Sequence, residues 1–177
     1  MARSSRQQIK SMTLSALLCA LGVIILAFGS FFEVVDLTVA VLASFLCIWA
    51  VIELGGIYPW MIWLVTSAVG FLLLPLKTPA LFYAIAFGFY PIIKEKAEKK
   101  RPVISWVIKI VTFHVSMALV ILGLWLLAPA LFSGTLQILL MIAFYFACLF
   151  IFVLYDLALT RVITFYFVHL RHRLRIK

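Results

Sequence analysis

The chain has 177 residues, 67% of them hydrophobic and 12% charged, with a mean hydropathy of +1.23. An ordinary soluble domain is about 45–50% apolar and about 25% charged. These figures exclude a soluble globule, a disordered chain, which needs low hydrophobicity, and a disulfide scaffold, for which three cysteines are too few. A net charge of +9 would suit nucleic acid in a soluble protein, but in a membrane protein the placement of Lys and Arg is first a topology signal.

A spanning helix takes roughly 20 apolar residues, and six apolar runs follow one another. The first, 12–32, comes after Arg3, Arg6 and Lys10; its end at Ala27-Phe28-Gly29 is a poor cleavage site, so the run is expected to be a span and not a removed leader. Glu33 and Asp36 interrupt the apolar sequence. The second run, 37–54, is stopped by Gly55-Gly56, and the third, 58–75, opens on Tyr58-Pro59-Trp60 and closes at Leu74-Pro75. The fourth, 79–93, is short for a span, a length that tilting or local bilayer thinning accommodates. A hydrophilic linker from Lys94 to Pro102 comes next. The fifth run, 103–127, carries Lys109 and His114, and the sixth, 136–166, leads into a basic tail from His169 to Lys177. Period-two alternation is absent, so helices and not a barrel are expected. The predicted fold is an all-α integral membrane protein: a single domain, residues 1–177, with six transmembrane helices in one compact bundle.

With the N-terminus in the cytoplasm, twelve basic residues fall on that side: Arg3, Arg6, Lys10, the five from Lys94 to Arg101, and Arg171, Arg173, Arg175 and Lys177. Only Lys77 falls in an opposite loop. This asymmetry predicts that both termini are cytoplasmic. It also argues against nucleic acid as the partner, because cations in short loops beside spans meet anionic lipid headgroups.

Ionisable groups within spans are costly and face the bundle interior or a cavity. Lys109 and Asp156 lie towards the cytoplasmic side of two antiparallel spans, where an intramembrane ion pair between them is expected to tie helix ends together. The alternative is a proton or ion relay. Towards the outer side, Phe32, Glu33, Asp36, Lys77, Tyr83 and Gln137, with His114 and Tyr145 near mid-membrane, combine aromatic and polar groups as a small-molecule site does. Ala16 and Ala20, one turn apart in the first span, form a small-residue face that admits a partner helix.

Absent motifs narrow the function. Without a Walker-type phosphate loop the chain has no means of powering transport with ATP by itself. Cys-x-x-Cys, His-Glu-x-x-His and Gly-x-Ser-x-Gly are also missing, and Cys19, Cys47 and Cys148 stand isolated in apolar runs. No enzyme activity, metal or cofactor is expected.

The run Thr13-Leu14-Ser15-Ala16-Leu17-Leu18-Cys19-Ala20-Leu21-Gly22, the Asp36-Leu37-Thr38 start of the second span, the connection Glu53-Leu54-Gly55-Gly56-Ile57-Tyr58 and the basic loop after the fourth span together resemble the substrate-binding S components of energy-coupling factor (ECF) transporters. These are small six-helix receptors for vitamins and metal ions in prokaryotic membranes. The resemblance extends from about Lys10 to Arg161. It implies a prokaryotic cell membrane, a substrate held near the outer surface, and Ala16 and Ala20 facing a transmembrane coupling subunit. It further implies a pair of cytoplasmic ATPases supplying energy and a toppling of the whole subunit during transport. The substrate signatures for riboflavin, thiamine, biotin, folate, cobalamin and nickel are not recognised. The alternative expectation is a non-transport envelope or assembly protein, such as the MreD rod-shape family, acting through contacts with other membrane proteins.

Overall fold

The computed structural model describes residues 5–32, 35–127, 134–166 and 168, without the side chains of Leu124, Leu127, Thr135, Leu136 and Gln137. All the regular structure among them is helical: α1 (Ser5–Phe31), α2 (Asp36–Glu53), α3 (Tyr58–Leu73), α4 (Thr78–Phe82), α5 (Tyr90–Glu98), α6 (Pro102–Leu127) and α7 (Thr135–Phe165), with a π-helical turn at Tyr83–Phe87 between α4 and α5. Among the described residues, four helices are long and apolar enough to cross a bilayer: α1, α2, α6 over Pro102–Gly123, and α7 over Ile138–Phe165. Such helices are compatible with a multi-pass membrane protein. At 16 residues α3 is about 24 Å long at the α-helical rise, less than a typical hydrocarbon thickness. The chain divides into two compact units, Met1–Leu124 and Trp125–Lys177.

The first unit is built on α1, whose inward face is small. Its buried residues are Ser11, Ser15, Leu18, Gly22, Leu26, Gly29 and Ser30, spaced so that they form one stripe. Large side chains of the same helix, Leu17, Leu21, Ile24 and Phe28, point outward. This arrangement suits lipid, where helices associate by close backbone approach and not by hiding apolar surface from water. A Cβ on Gly29 would stand only 2.2 Å from Val39 Cγ2, so α1 and α2 cross where only glycine fits. Leu18, Ala50, Leu54 and Ile62 form a buried cluster, with Leu14 and Tyr58 packed on it. The cluster joins the N-terminal half of α1 to the α2–α3 connection.

Each connection has a local cause. Gly55 and Gly56 take φ of 59° and 61°, the left-handed region that strains any side chain, and turn the chain after α2. Pro59 occupies the first turn of α3, where its missing N–H is no loss. At the opposite end, Leu76 N–H donates to Ser30 Oγ at 2.9 Å and Thr78 Oγ1 donates to an Asp36 carboxylate oxygen. These bonds tie the α3–α4 connection to the end of α1 and the start of α2. α1, α2, α3 and the α4–α5 segment therefore run alternately up and down within this unit.

The segment expected as one helix over 79–93 is two helices joined by the π turn, reaching from Thr78 to Glu98. The hydrophilic linker predicted from Lys94 onward is the last turn of α5, and the chain leaves helix only around Lys99–Arg101. α1 likewise starts at Ser5, before the apolar run begins.

Candidate functional site

The interruption between α4 and α5 has three causes in the sequence. Gly88 N–H donates to Tyr83 O at 2.7 Å, a five-residue step in place of four. Two residues later α5 restarts with Pro91 in its first turn, which has no N–H to return to the preceding carbonyls. Trp63 of α3 completes the arrangement: its indole N–H donates to Ala84 O at 3.0 Å. A Cβ on Gly88 would meet Trp63 Cδ1 and Tyr83 O, each at 2.7 Å, so the indole lies where a side chain would otherwise stand. Tyr83 and Tyr90, which flank the break, are 1% and 0% exposed. Interrupted helices bring unpaired backbone groups to apolar depth, and these persist only where protein satisfies them or a ligand does.

One helical turn beyond the break, α5 ends in a cluster of charge and aromatic rings. Lys94 is 1% exposed, and its ammonium lies 2.9 Å from Glu98 Oε1. Lys109 of α6 reaches the same oxygen at 3.2 Å, so one carboxylate holds two cations. The Lys109 ammonium also lies 5.6 Å from the Trp106 ring centroid. On the outer side of α5, Lys96 stands over the Trp60 ring at 5.2 Å, and Trp60, Trp63 and Phe89 follow edge to face at 5.8 and 6.1 Å. The chain thus places an ordered aromatic line between the break and the basic helix end.

The residues expected to form an outer pocket are partly brought together. Phe32, Asp36 and Lys77 share one end of the first unit: Phe32 is exposed, Asp36 accepts from Thr78, and Lys77 Nζ donates to Leu74 O at 2.5 Å. Tyr83 is buried in the π turn of the segment that starts there. His114 is exposed on α6, with Nδ1 2.9 Å from Ile110 O. Tyr145 belongs to α7 in the second unit, half-buried and edge-on to Phe146 at 5.8 Å. Glu33 and the side chain of Gln137 lie outside the described residues. Ala16 and Ala20 are exposed, on a different face of α1 from the glycines and serines that meet α2 and α3. Lys109 is buried, and Glu98 is a partner that the sequence reading had not singled out. Asp156 is a buried residue of the second unit, where its backbone oxygen accepts from Thr160 Oγ1 at 2.9 Å.

Sequence reasoning also missed Trp63, Tyr90 and Lys94. A signal existed for the last two: Tyr90, Lys94 and Glu98 are four apart, and so are Glu95 and Lys99, which pair at 2.5 Å. Continued as helix, the polar run puts Lys94 inward and the charge pairs in register.

Among the described residues, fold and site define an all-helical protein with several membrane-length apolar helices and an interrupted helical segment. Comparison with protein-family models, with curated proteins and with solved structures finds no match for this chain.

Proposed function

We propose that the protein is the substrate-capture subunit of a multisubunit, ATP-driven micronutrient importer, with six spans and both termini on the cytoplasmic side of a prokaryotic cell membrane. The observation that carries this reading is the interrupted segment Thr78–Glu98, because transporters build their substrate sites beside discontinuous helices. The substrate enters from the end where Phe32, Asp36 and Lys77 gather and is bounded below by Tyr83. Energy comes from outside the chain, through a coupling subunit that packs on the exposed Ala16 and Ala20 and engages cytoplasmic ATPases. The up-and-down order of α1, α2, α3 and the interrupted segment supports the alternating topology.

The test is purification of the tagged chain in mild detergent from its native membrane. The proposal expects a coupling subunit and ATPases to co-purify, and Ala16→Leu with Ala20→Leu to abolish that while leaving the protein's own stability unchanged. It also expects a small molecule retained in native mass spectra. A preparation lacking ATPases, indifferent to the alanine substitutions and without thermal response to any of a vitamin panel, favours the non-transport assembly role.

A further inference from the structure

The two glutamates of α5 are both engaged, Glu95 with Lys99 and Glu98 with Lys94 and Lys109. Three cations at the same helix end, Lys96, Lys100 and Arg101, meet no carboxylate among the described residues. Lys96 is held instead over the face of Trp60, which stands in the first turn of α3. Trp60 is half-buried, and α3 continues from it into exposed apolar side chains, Met61 beside it and Leu64 one turn after. The same end of the unit carries the exposed Arg6 and Lys10 at the start of α1.

We propose that Lys96, Lys100, Arg101 and the Trp60 indole form a binding site for the headgroup of an anionic phospholipid, whose acyl chain lies along Met61 and Leu64. The order of chemistry along the helices matches that of such a lipid: cations first, then an amphipathic ring, then hydrocarbon. An acidic soluble partner would use the cations but leave the apolar stripe below them uncovered. The Lys96 ammonium over the indole leaves the outer side of that ammonium for a phosphate oxygen. The site is independent of whether the protein captures a substrate for import.

The experiment uses the delipidated full chain in detergent, titrated with phosphatidylglycerol, with phosphatidylcholine of the same acyl chains, and with inorganic phosphate. Native mass spectrometry and thermal unfolding are expected to show binding and stabilisation by phosphatidylglycerol alone. The triple variant Lys96→Gln, Lys100→Gln, Arg101→Gln is expected to weaken that binding roughly a hundredfold, the combined effect of three cations beside an anionic headgroup. The control Arg6→Gln, Lys10→Gln should stay near the wild-type affinity. Equal binding of the two lipids, an equal response to inorganic phosphate, or equal loss in the control variant overturns the proposal. Acyl-brominated lipids give a reading on the unaltered protein: brominated phosphatidylglycerol should quench tryptophan emission more than brominated phosphatidylcholine, and Trp60→Phe should reduce the difference, leaving the share that falls on the neighbouring Trp63. A difference left undiminished by Trp60→Phe also overturns it.

Discussion

Gly88→Ala separates two opposite expectations for the interrupted segment. Gly88 has ordinary right-handed helical angles, φ −70° and ψ −38°. On backbone grounds alone, alanine there stabilises by about 0.5–1 kcal/mol, the usual helical advantage over glycine. Packing predicts the reverse. The new Cβ would stand 2.7 Å from Trp63 Cδ1, 2.7 Å from Tyr83 O and 2.9 Å from Tyr83 Cζ, all well inside the roughly 3.5–4.0 Å of a carbon contact at rest. The Tyr83 oxygen is backbone in the π turn and accepts the Gly88 N–H, so it gives little. Overpacking of this kind costs about 1–3 kcal/mol. If Trp63 swings away, its hydrogen bond to Ala84 O is lost as well, a further 0.5–1.5 kcal/mol or so. After the backbone gain is deducted, the expected result is a net destabilisation of about 1–3 kcal/mol. The assay is reversible unfolding in mixed micelles, followed by helicity and by tryptophan emission. In a Trp63→Ala background the penalty should shrink but persist, because the contact with Tyr83 O remains. A Gly88→Ala protein as stable as wild type, or more so, would refute the packing argument and with it the break as described.

Other substitutions probe the remaining contacts. Glu98→Gln removes the carboxylate shared by Lys94 and Lys109; a buried pair broken from one side costs 3–5 kcal/mol as a rule, and the expected loss is about 3 kcal/mol because Glu98 is 39% exposed. Lys94→Met, which takes the buried charge away, should cost less than Glu98→Gln by the same unfolding measurement; the opposite order would contradict the cluster. Ser30, 4% exposed, loses its bond to the partly buried Leu76 N–H in Ser30→Ala, which should cost about 1 kcal/mol, with the loss absent from Ser30→Thr if the hydroxyl keeps its bond. For topology, single cysteines are placed at Lys77 and Lys99 in a background with Cys19, Cys47 and Cys148 replaced. An impermeant thiol reagent added outside cells is expected to label only the first, and labelling at Lys99 instead would invert the proposed orientation.

Where apolar length and backbone-breaking residues dictate the chain, the sequence is a faithful guide. The second and third runs, read as 37–54 and 58–75, become Asp36–Glu53 and Tyr58–Leu73. Their ends are written in residues of restricted or unusual backbone: Gly55 and Gly56 in left-handed conformation, Pro59 inside the first turn, Pro75 just past the last. α1 extends beyond its apolar run of 12–32 because hydropathy reports apolar length and not helix length; 5–10 is largely polar and still helical. The fourth run shows the opposite limit. Its shortness was visible, but the four-to-five-residue change of step at Gly88 depends on Trp63, 25 positions away along the chain and on another helix. Local pattern carries no trace of such a partner. Lys94 was concealed for a related reason: a run of Lys and Glu resembles a solvated linker until the helix is continued through it and the four-residue register turns one lysine inward.

The small residues of α1 hold the most consequential ambiguity. Ser11, Ser15, Gly22 and Gly29 form one stripe, and Ala16 and Ala20 form another beside it; both are compatible with close helix approach. What separates them is the absence of a Cβ at Gly22 and Gly29: on Gly29 it would stand 2.2 Å from Val39 Cγ2, a distance alanine forbids, and on Gly22 3.0 Å from Thr66 Cγ2, a tight contact. A small-residue stripe containing glycine at a crossing is therefore consumed within the fold, whereas the alanine stripe is left on the surface. That difference is why Ala16→Leu with Ala20→Leu tests a partner with little risk to the protein's own packing, while Gly29→Ala would damage the fold first. The exposed alanines can contribute to function only through something that packs on them, and this makes co-purification a sharper test of the importer reading than any measurement on the isolated chain.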